Sequence, residues 1–309
     1  MRSDGTDGPN ENANAGNPVF GAGGPHEALY YDKSGGGKTV CALCPRRCAL
    51  TPGETGLCLA RRNVGGSLCS LNYGAISSLA LDPIEKKPLR RFHPGATILS
   101  DGSFGCNFTC PFCQNHSISR GAPVTRYLPP DALVREALSA RSTGNIGIAY
   151  TYNEPLVSYE YVRDAAGLAR SRGLCNVLVT NGYIEQMPLR ELIPYVDAMN
   201  IDLKGDETFY IGMCGGDRQT VLNTIEAAYA AGLHIEITNL LVSGRNDNAE
   251  AVTETARCVA SVSESIPLHL SRFFPGYKMS ELPPTDAAFV REAAAIARKY
   301  LKYVYTGNV

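Results

Sequence analysis

Three closely spaced cysteines, Cys106, Cys110 and Cys113, are the residues of this sequence best suited to carry chemistry. Three residues separate the first pair and two separate the second, so all three thiols fall on one short segment. Thiolates select zinc or iron–sulfur clusters, and a 4Fe-4S cluster has four ligand positions. Three cysteines leave one iron free to chelate the amino and carboxylate groups of an external molecule. A zinc site completed by a distant cysteine is the alternative.

A second group of cysteines precedes the first and supplies four thiolates: Cys41, Cys44, Cys48 and Cys58. A closed tetrahedral zinc site would fold a region that has little core of its own. An auxiliary 4Fe-4S cluster fits the same ligands and could relay electrons. The spacing does not decide between them, although the lack of a low-potential ferredoxin pattern favours zinc slightly. Cysteines that pack without a metal are the third alternative.

The composition excludes several other classes of protein. Apolar residues make up 44% of the 309 residues, which is enough for a sizeable core. A net charge of -1 gives no general attraction to nucleic acid or to an anionic membrane. No apolar run has the length of a transmembrane helix, and the N-terminus lacks the apolar stretch of a signal peptide. We therefore expect a cytoplasmic protein, in which 11 cysteines are more often ligands than disulfides.

The elements that position the cysteines follow from composition and hydrophobic periodicity. We expect a disordered tail over residues 1–27, a cysteine-rich metal-binding domain with a connector over 28–95, and an α/β domain over 96–309. Apolar, β-branched runs predict strands over 96–100, 146–150, 176–180, 198–203, 235–242 and 268–273, with a short final strand over 303–305. Helical patterns lie between them, over 131–141, 155–173, 186–195, 221–232, 249–263 and 286–300.

This alternation of strand and helix predicts parallel strands joined by right-handed crossovers. Eight units would close a TIM barrel, whereas six predict a partial, open barrel or a doubly wound sheet. In both architectures the chemistry belongs at the C-terminal ends of the strands.

Charged residues follow two of these predicted strands. Glu154 lies at the turn after the second strand, where it could bind a ligand or stabilise a helix dipole. Asp202 and Lys204 lie two positions apart on the fourth strand, so their side chains point the same way. We favour a ligand role for this pair over a structural ion pair, because burying an ion pair is costly.

The cysteine spacing, on a loop after the first strand of an α/β barrel, resembles the radical S-adenosylmethionine (SAM) superfamily. The resemblance implies that the open iron binds SAM, and that one electron from the cluster cleaves SAM to methionine and a 5′-deoxyadenosyl radical. It also implies that Phe112 packs near the adenine. Flavodoxin or ferredoxin would supply the electron.

The resemblance implies roles for the strand-end residues as well. Asn153 and Glu154 stand where the family has a Gly-Gly-Glu turn that holds the SAM amino group. The ends of the third and fourth strands resemble glycyl-radical-enzyme activases, in which these segments line the SAM site: Thr180, Asn181, Asp202 and Lys204. A histidine follows the sixth strand in the activases; the aligned position is nearer Phe274 here, and His269 is the candidate to replace it.

Five motifs together are similar to the AmmeMemoRadiSam branch of the superfamily. They lie at residues 41–48, 82–89, 105–115, 151–155 and 271–275. The resemblance implies hydrogen abstraction from an unidentified small molecule or peptide. An enzyme that installs a glycyl radical on a partner protein is the alternative, and a non-catalytic zinc-binding interaction module is a third hypothesis. Cys214 could meet substrate or be an inert buried thiol.

Overall fold

The computed structural model describes residues 24–309. Most of the expected disordered tail, residues 1–27, therefore lies outside the described residues. Its last residues are ordered, because His26–Glu27 forms a short strand that pairs with Ser67–Ser70. The structured chain thus begins slightly before the predicted boundary at residue 28.

The cysteine-rich region folds into small antiparallel sheets. Its strands are β1 (His26–Glu27), β2 (Tyr31–Ser34), β3 (Lys38–Cys41), β4 (Ala49–Leu50), β5 (Arg61–Val64), β6 (Ser67–Ser70) and β7 (Ala75–Ile76). Strands β2, β3 and β4 form one sheet, and β1, β6 and β5 form another. Few large apolar side chains are buried here, so this region needs support from its cysteines or from the domain beside it.

The central element is one eight-stranded sheet. Its strands are β8 (Ser78–Pro83), β9 (Thr97–Gly102), β11 (Asn145–Tyr150), β12 (Cys175–Thr180), β13 (Ala198–Asp202), β14 (His234–Leu241), β15 (Leu268–Arg272) and β16 (Val304–Gly307). They are adjacent in this order, and every pair from β9 to β16 is parallel. The two remaining short strands, β10 (Arg126–Tyr127) and β7, pair with each other. The predicted partial barrel and its strands are confirmed.

One strand of the sheet was not predicted. Strand β8 runs antiparallel to β9 along one edge of the sheet. Its residues are mostly half-buried or exposed, and it ends in Pro83, which suits an edge strand but hides the apolar pattern. The segment expected to be a connector therefore adds a strand to the barrel and brings residues 84–87 toward its mouth.

The helices cover the outside of the sheet. They are α1 (His116–Ser119), α2 (Pro130–Ser139), α3 (Tyr159–Ser171), α4 (Gln186–Leu192), α5 (Glu207–Phe209), α6 (Arg218–Ala230), α7 (Ala249–Val262) and α8 (Ala287–Ala297). Helix α7 shows the sequence logic: the Asn248 side chain caps its first turn, and Val252, Ala256 and Val259 face the core at helical spacing. None of the helices in the described part of the chain is long and apolar enough to cross a membrane.

Candidate active site

A cavity of about 380 Å³ opens at the C-terminal edge of the parallel sheet. This volume suits a small ligand, and the edge is where barrel enzymes place their active sites. The cavity is lined by all but one of the residues predicted for the radical SAM site: Cys106, Cys110, Cys113, Phe112, Asn153, Glu154, Thr180, Asn181, Asp202 and Lys204. Four separate strand ends therefore converge as the sequence predicts.

The three cysteines occupy the loop after β9. Burial raises the pKa of Cys106 well above its usual value, and the nearby Glu154 adds to the shift. Burial also raises the pKa of Cys113. Burial therefore favours the neutral thiols in this loop, and binding to a cationic iron–sulfur core would favour the thiolates. The donor set and the adjoining cavity fit a 4Fe-4S cluster with one open position.

Cys214 lies beside this loop. A hydrogen bond with Cys214, followed by burial, raises the pKa of Cys110 well above its usual value. Cys214 itself is fully buried and does not line the cavity. A direct encounter of this thiol with substrate therefore has no support in the structure, and Cys214 packs behind Cys110 instead.

Glu154 is buried at the floor of the cavity and accepts three hydrogen bonds. Thr180 Oγ1 and Leu156 N donate to Oε1 over 2.6 and 3.0 Å, and Asn181 N donates to Oε2 over 2.7 Å. Burial nevertheless raises the pKa of this carboxyl to about 7, against the lowering effect of these donors. The bond from Leu156 caps the short helical turn that follows, so the capping role and a ligand role are compatible.

Asn153 holds the cysteine loop to the second parallel strand. Its side chain accepts from Ser103 N over 2.9 Å and donates to the carbonyl oxygens of Phe104 and Gly105 over 3.0 and 3.1 Å. Asn181 makes a similar link, because its Nδ2 lies 2.9 Å from Asn107 Oδ1 and 3.6 Å from Cys106 Sγ. Both amides therefore fix the position of the thiols.

Asp202 and Lys204 form an ion pair of 2.7 Å at the wall of the cavity. Burial opposes the charge of Lys204, but Asp202 and Cys110 outweigh burial and raise the pKa of the ammonium group well above its usual value. The Lys204 Nζ also lies 6.0 Å from the centre of the Phe112 ring. The pair thus presents fixed charges of both signs next to the cysteine loop.

His269 is the one predicted site residue that the structure does not bring to the cavity. It is the second residue of β15, whereas the site forms where the strands end. Its Nε2 lies 2.6 Å from Glu236 Oε2, and its ring stacks on Tyr305. The expectation that His269 approaches SAM is therefore not supported, and the residue belongs to a buried polar cluster inside the sheet.

Two of the residues that the sequence interpretation missed come from the segment after β8. Lys86 and Lys87 both line the cavity. Lys87 Nζ lies 2.9 Å from Asp82 and 4.5 Å from the centre of the Tyr152 ring, and the Tyr152 hydroxyl donates to Asp82 over 2.7 Å. These lysines stand in the motif at 82–89, but a function could not be assigned without knowing that β8 joins the sheet.

The four N-terminal cysteines line a second, smaller cavity next to the first. Burial raises the pKa of Cys44 to about 12 and that of Cys58 to about 11. The two cysteine groups are in contact through the backbone, because Cys106 N donates to Cys58 O over 3.1 Å.

Comparison with known proteins identifies the chain. The family model of the radical SAM superfamily matches residues 102–259. This chain belongs to the radical SAM superfamily. An uncharacterized protein from Methanocaldococcus jannaschii is 42% identical over 92% of this chain and 85% of its own length. Biotin synthase from Methylorubrum extorquens is 26% identical over 66% of this chain and 63% of its own length.

Two solved structures share the fold. A radical SAM methyltransferase from Sphaerobacter thermophilus superimposes with a TM-score of 0.53 and 17% identity, over 70% of this chain and 67% of its own. SuiB from Streptococcus suis bound to SAM gives 0.52 and 13%, over 66% and 48%. The protein is thus a radical SAM enzyme, and the family implies a 4Fe-4S cluster and SAM. The hypothesis of a non-catalytic zinc module is not supported.

Proposed function

We propose that this enzyme binds its cluster on Cys106, Cys110 and Cys113, binds SAM in the adjoining cavity, and abstracts hydrogen from a small molecule or peptide. The observation that carries the proposal is the convergence of three thiols, a buried carboxylate and an ion pair on one cavity. We also propose membership of the AmmeMemoRadiSam branch, on the strength of the five sequence motifs.

Several residues of the chain contribute separate contacts to SAM. When bound, the cluster and SAM together supply reductive cleavage and hydrogen abstraction. Glu154 holds the amino group of SAM, because a buried carboxylate with unused acceptor capacity attracts an ammonium or amine donor. Asp202 and Lys204 bind polar groups of SAM, and Phe112 packs against its adenine. Buried walls of this kind exclude water from a reactive site.

The remaining partners follow from the same chemistry. Each cleavage of SAM consumes one electron, so a one-electron carrier such as flavodoxin or ferredoxin serves as the donor. Lys86 and Lys87 line the cavity and share one carboxylate, Asp82, so one net positive charge remains to favour a substrate that carries an anionic group. Activation of a glycyl radical enzyme is the alternative for the partner, and it predicts a protein backbone as the target.

Anaerobic reconstitution tests the proposal. The protein is loaded with iron and sulfide, reduced with dithionite, mixed with SAM and assayed for 5′-deoxyadenosine by chromatography. We expect product from the wild type and none from Cys106→Ala. A Cys258→Ala variant, which removes a thiol far from both cavities, should retain the activity. A fully loaded protein that forms no product would overturn the proposal.

A further inference from the structure

The four N-terminal cysteines converge on one site. Cys41, Cys44, Cys48 and Cys58 all line the same small cavity. Four thiolates are the ligand set of a tetrahedral zinc site and of a 4Fe-4S cluster alike. What the cavity contacts therefore distinguishes the two.

Two arginines also line the N-terminal cavity, and each keeps a buried donor that has no hydrogen-bond partner among residues 24–309. These atoms are Nη2 of Arg46 and Nε of Arg61. Arg61 is only 1% exposed, and one of its other nitrogens pairs with Glu160 over 2.5 Å. A buried guanidinium donor left unpaired is costly, and an anionic metal centre held by four thiolates would compensate it.

The cavity is joined to the barrel mouth by short backbone contacts. Cys58 O accepts from Cys106 N over 3.1 Å, so a ligand of one site is hydrogen-bonded to a ligand of the other. This approach depends on Gly105, whose φ is +90° and where a Cβ atom would lie 2.5 Å from Cys58 O. Asn107 lines the N-terminal cavity and accepts from Asn181 at the barrel mouth. The two sites therefore share a wall. Electrons could pass across such a contact between two iron–sulfur clusters, whereas zinc has no redox chemistry.

We propose that Cys41, Cys44, Cys48 and Cys58 bind a second 4Fe-4S cluster, which passes electrons to the cluster at the barrel mouth through the Cys58–Cys106 contact. An external one-electron donor of the flavodoxin or ferredoxin class reduces the N-terminal cluster. The N-terminal cluster then passes that electron to the cluster at the barrel mouth and returns to its own oxidised state. The electron-transfer half of this inference rests on the proposed function, whereas the identity of the N-terminal centre does not.

A variant that lacks the mouth cysteines tests the identity of the centre. The triple variant Cys106→Ala, Cys110→Ala, Cys113→Ala is reconstituted anaerobically and analysed for iron, sulfide and zinc. We expect about eight irons per wild-type chain and about four in the triple variant, with an equal loss of sulfide. The matched control removes three cysteines outside both cavities (Cys69→Ala, Cys175→Ala, Cys258→Ala) and should keep about eight.

Zinc in place of iron in the triple variant, at about one ion per chain, would overturn the proposal. Loss of all metal from a folded triple variant would overturn it as well, and circular dichroism establishes whether the variant is folded. Both outcomes leave the proposed function intact, because 5′-deoxyadenosine formation tests the mouth cluster separately.

Electron paramagnetic resonance tests the connection between the centres. In the triple variant the reduced N-terminal cluster should give an isolated signal that saturates at low microwave power. In the reduced wild type the same signal should saturate at severalfold higher power, because a second paramagnetic cluster lies nearby. Equal saturation in both proteins, with both clusters reduced in the wild type, would contradict the relay.

Discussion

Two buried carboxyl groups, one at the mouth of the barrel and one inside the sheet, have pKa values shifted in opposite directions. Glu154 is 3% exposed and Glu236 is fully buried. Burial raises the pKa of Glu154 to about 7. Burial opposes ionisation of Glu236 too, but donors from His234 and His269 and from two backbone amides outweigh it and lower its pKa to about 2.

The difference lies in how completely each charge is matched. Glu236 accepts from His234 and His269 over 2.9 and 2.6 Å and from the amides of Arg90 and Arg91 over 3.0 and 2.7 Å. Glu154 has no cationic partner among residues 24–309 and stands near Asp202, which adds to its raised pKa. An unmatched buried charge beside a cavity is typical of a ligand site, whereas a matched one is typical of structural support.

The largest expected effect is at the mouth. Glu154→Gln keeps the shape of the side chain and removes its charge. We expect 5′-deoxyadenosine formation to fall on the order of 100-fold, because the variant loses a buried charged contact with SAM. The free energy of unfolding should change little, because relief of the buried charge offsets the loss of one oxygen that accepts hydrogen bonds. Normal turnover in this variant would show that Glu154 does not contribute to the SAM site.

The matched carboxylate should give the reverse pattern. Glu236→Gln weakens the contacts to His234 and His269, so we expect the free energy of unfolding to fall by about 2 kcal/mol. Urea titration of the cluster-loaded protein under argon measures this change. Turnover per folded molecule should stay within about twofold of wild type. A large loss of turnover with unchanged stability would instead indicate that His269 and Glu236 take part in catalysis.

The pH dependence of SAM binding sharpens the comparison. Because the pKa of Glu154 is raised to about 7, the carboxyl is neutral below that pH and ionised above it. The ratio of Kd values, Glu154→Gln over wild type, should therefore rise about tenfold between roughly pH 6 and pH 8. Taking the ratio cancels the titration of SAM itself. A ratio that stays constant would mean that Glu154 does not titrate in this range.

The smallest effect is expected at Thr180, which donates a hydrogen bond to Glu154. Thr180→Val removes the hydroxyl that donates to Glu154 over 2.6 Å and accepts from Gly182 N over 3.0 Å. We expect SAM affinity to fall about fivefold, which corresponds to one lost hydrogen bond of about 1 kcal/mol. Thr180→Ser keeps the hydroxyl and is the matched control. Equal affinities for the two variants would show that this hydrogen bond does not orient the carboxylate.

Much of the fold and of the site could be predicted from the sequence for a physical reason. Parallel strands carry continuous apolar runs, and their C-terminal ends must meet at one edge, so the strand pattern groups Glu154 and Asp202. Thr180 was added to them by the resemblance to the activases. Edge strand β8 lacks that pattern, so the sequence did not show that Lys86 and Lys87 reach the cavity. His269 was misplaced because the sequence shows that a histidine lies on a strand but does not show how far along the strand the cavity begins.

The most direct test of the account is the effect of SAM on the spectrum of the reduced cluster. Electron paramagnetic resonance would be recorded before and after adding SAM to the wild type, Cys106→Ala and Glu236→Gln. The signal of the mouth cluster is the one that Cys106→Ala lacks. We expect SAM to shift this signal, and to shift it equally in the wild type and in Glu236→Gln. An unchanged component in wild-type protein that has bound SAM would contradict a SAM site at the barrel mouth.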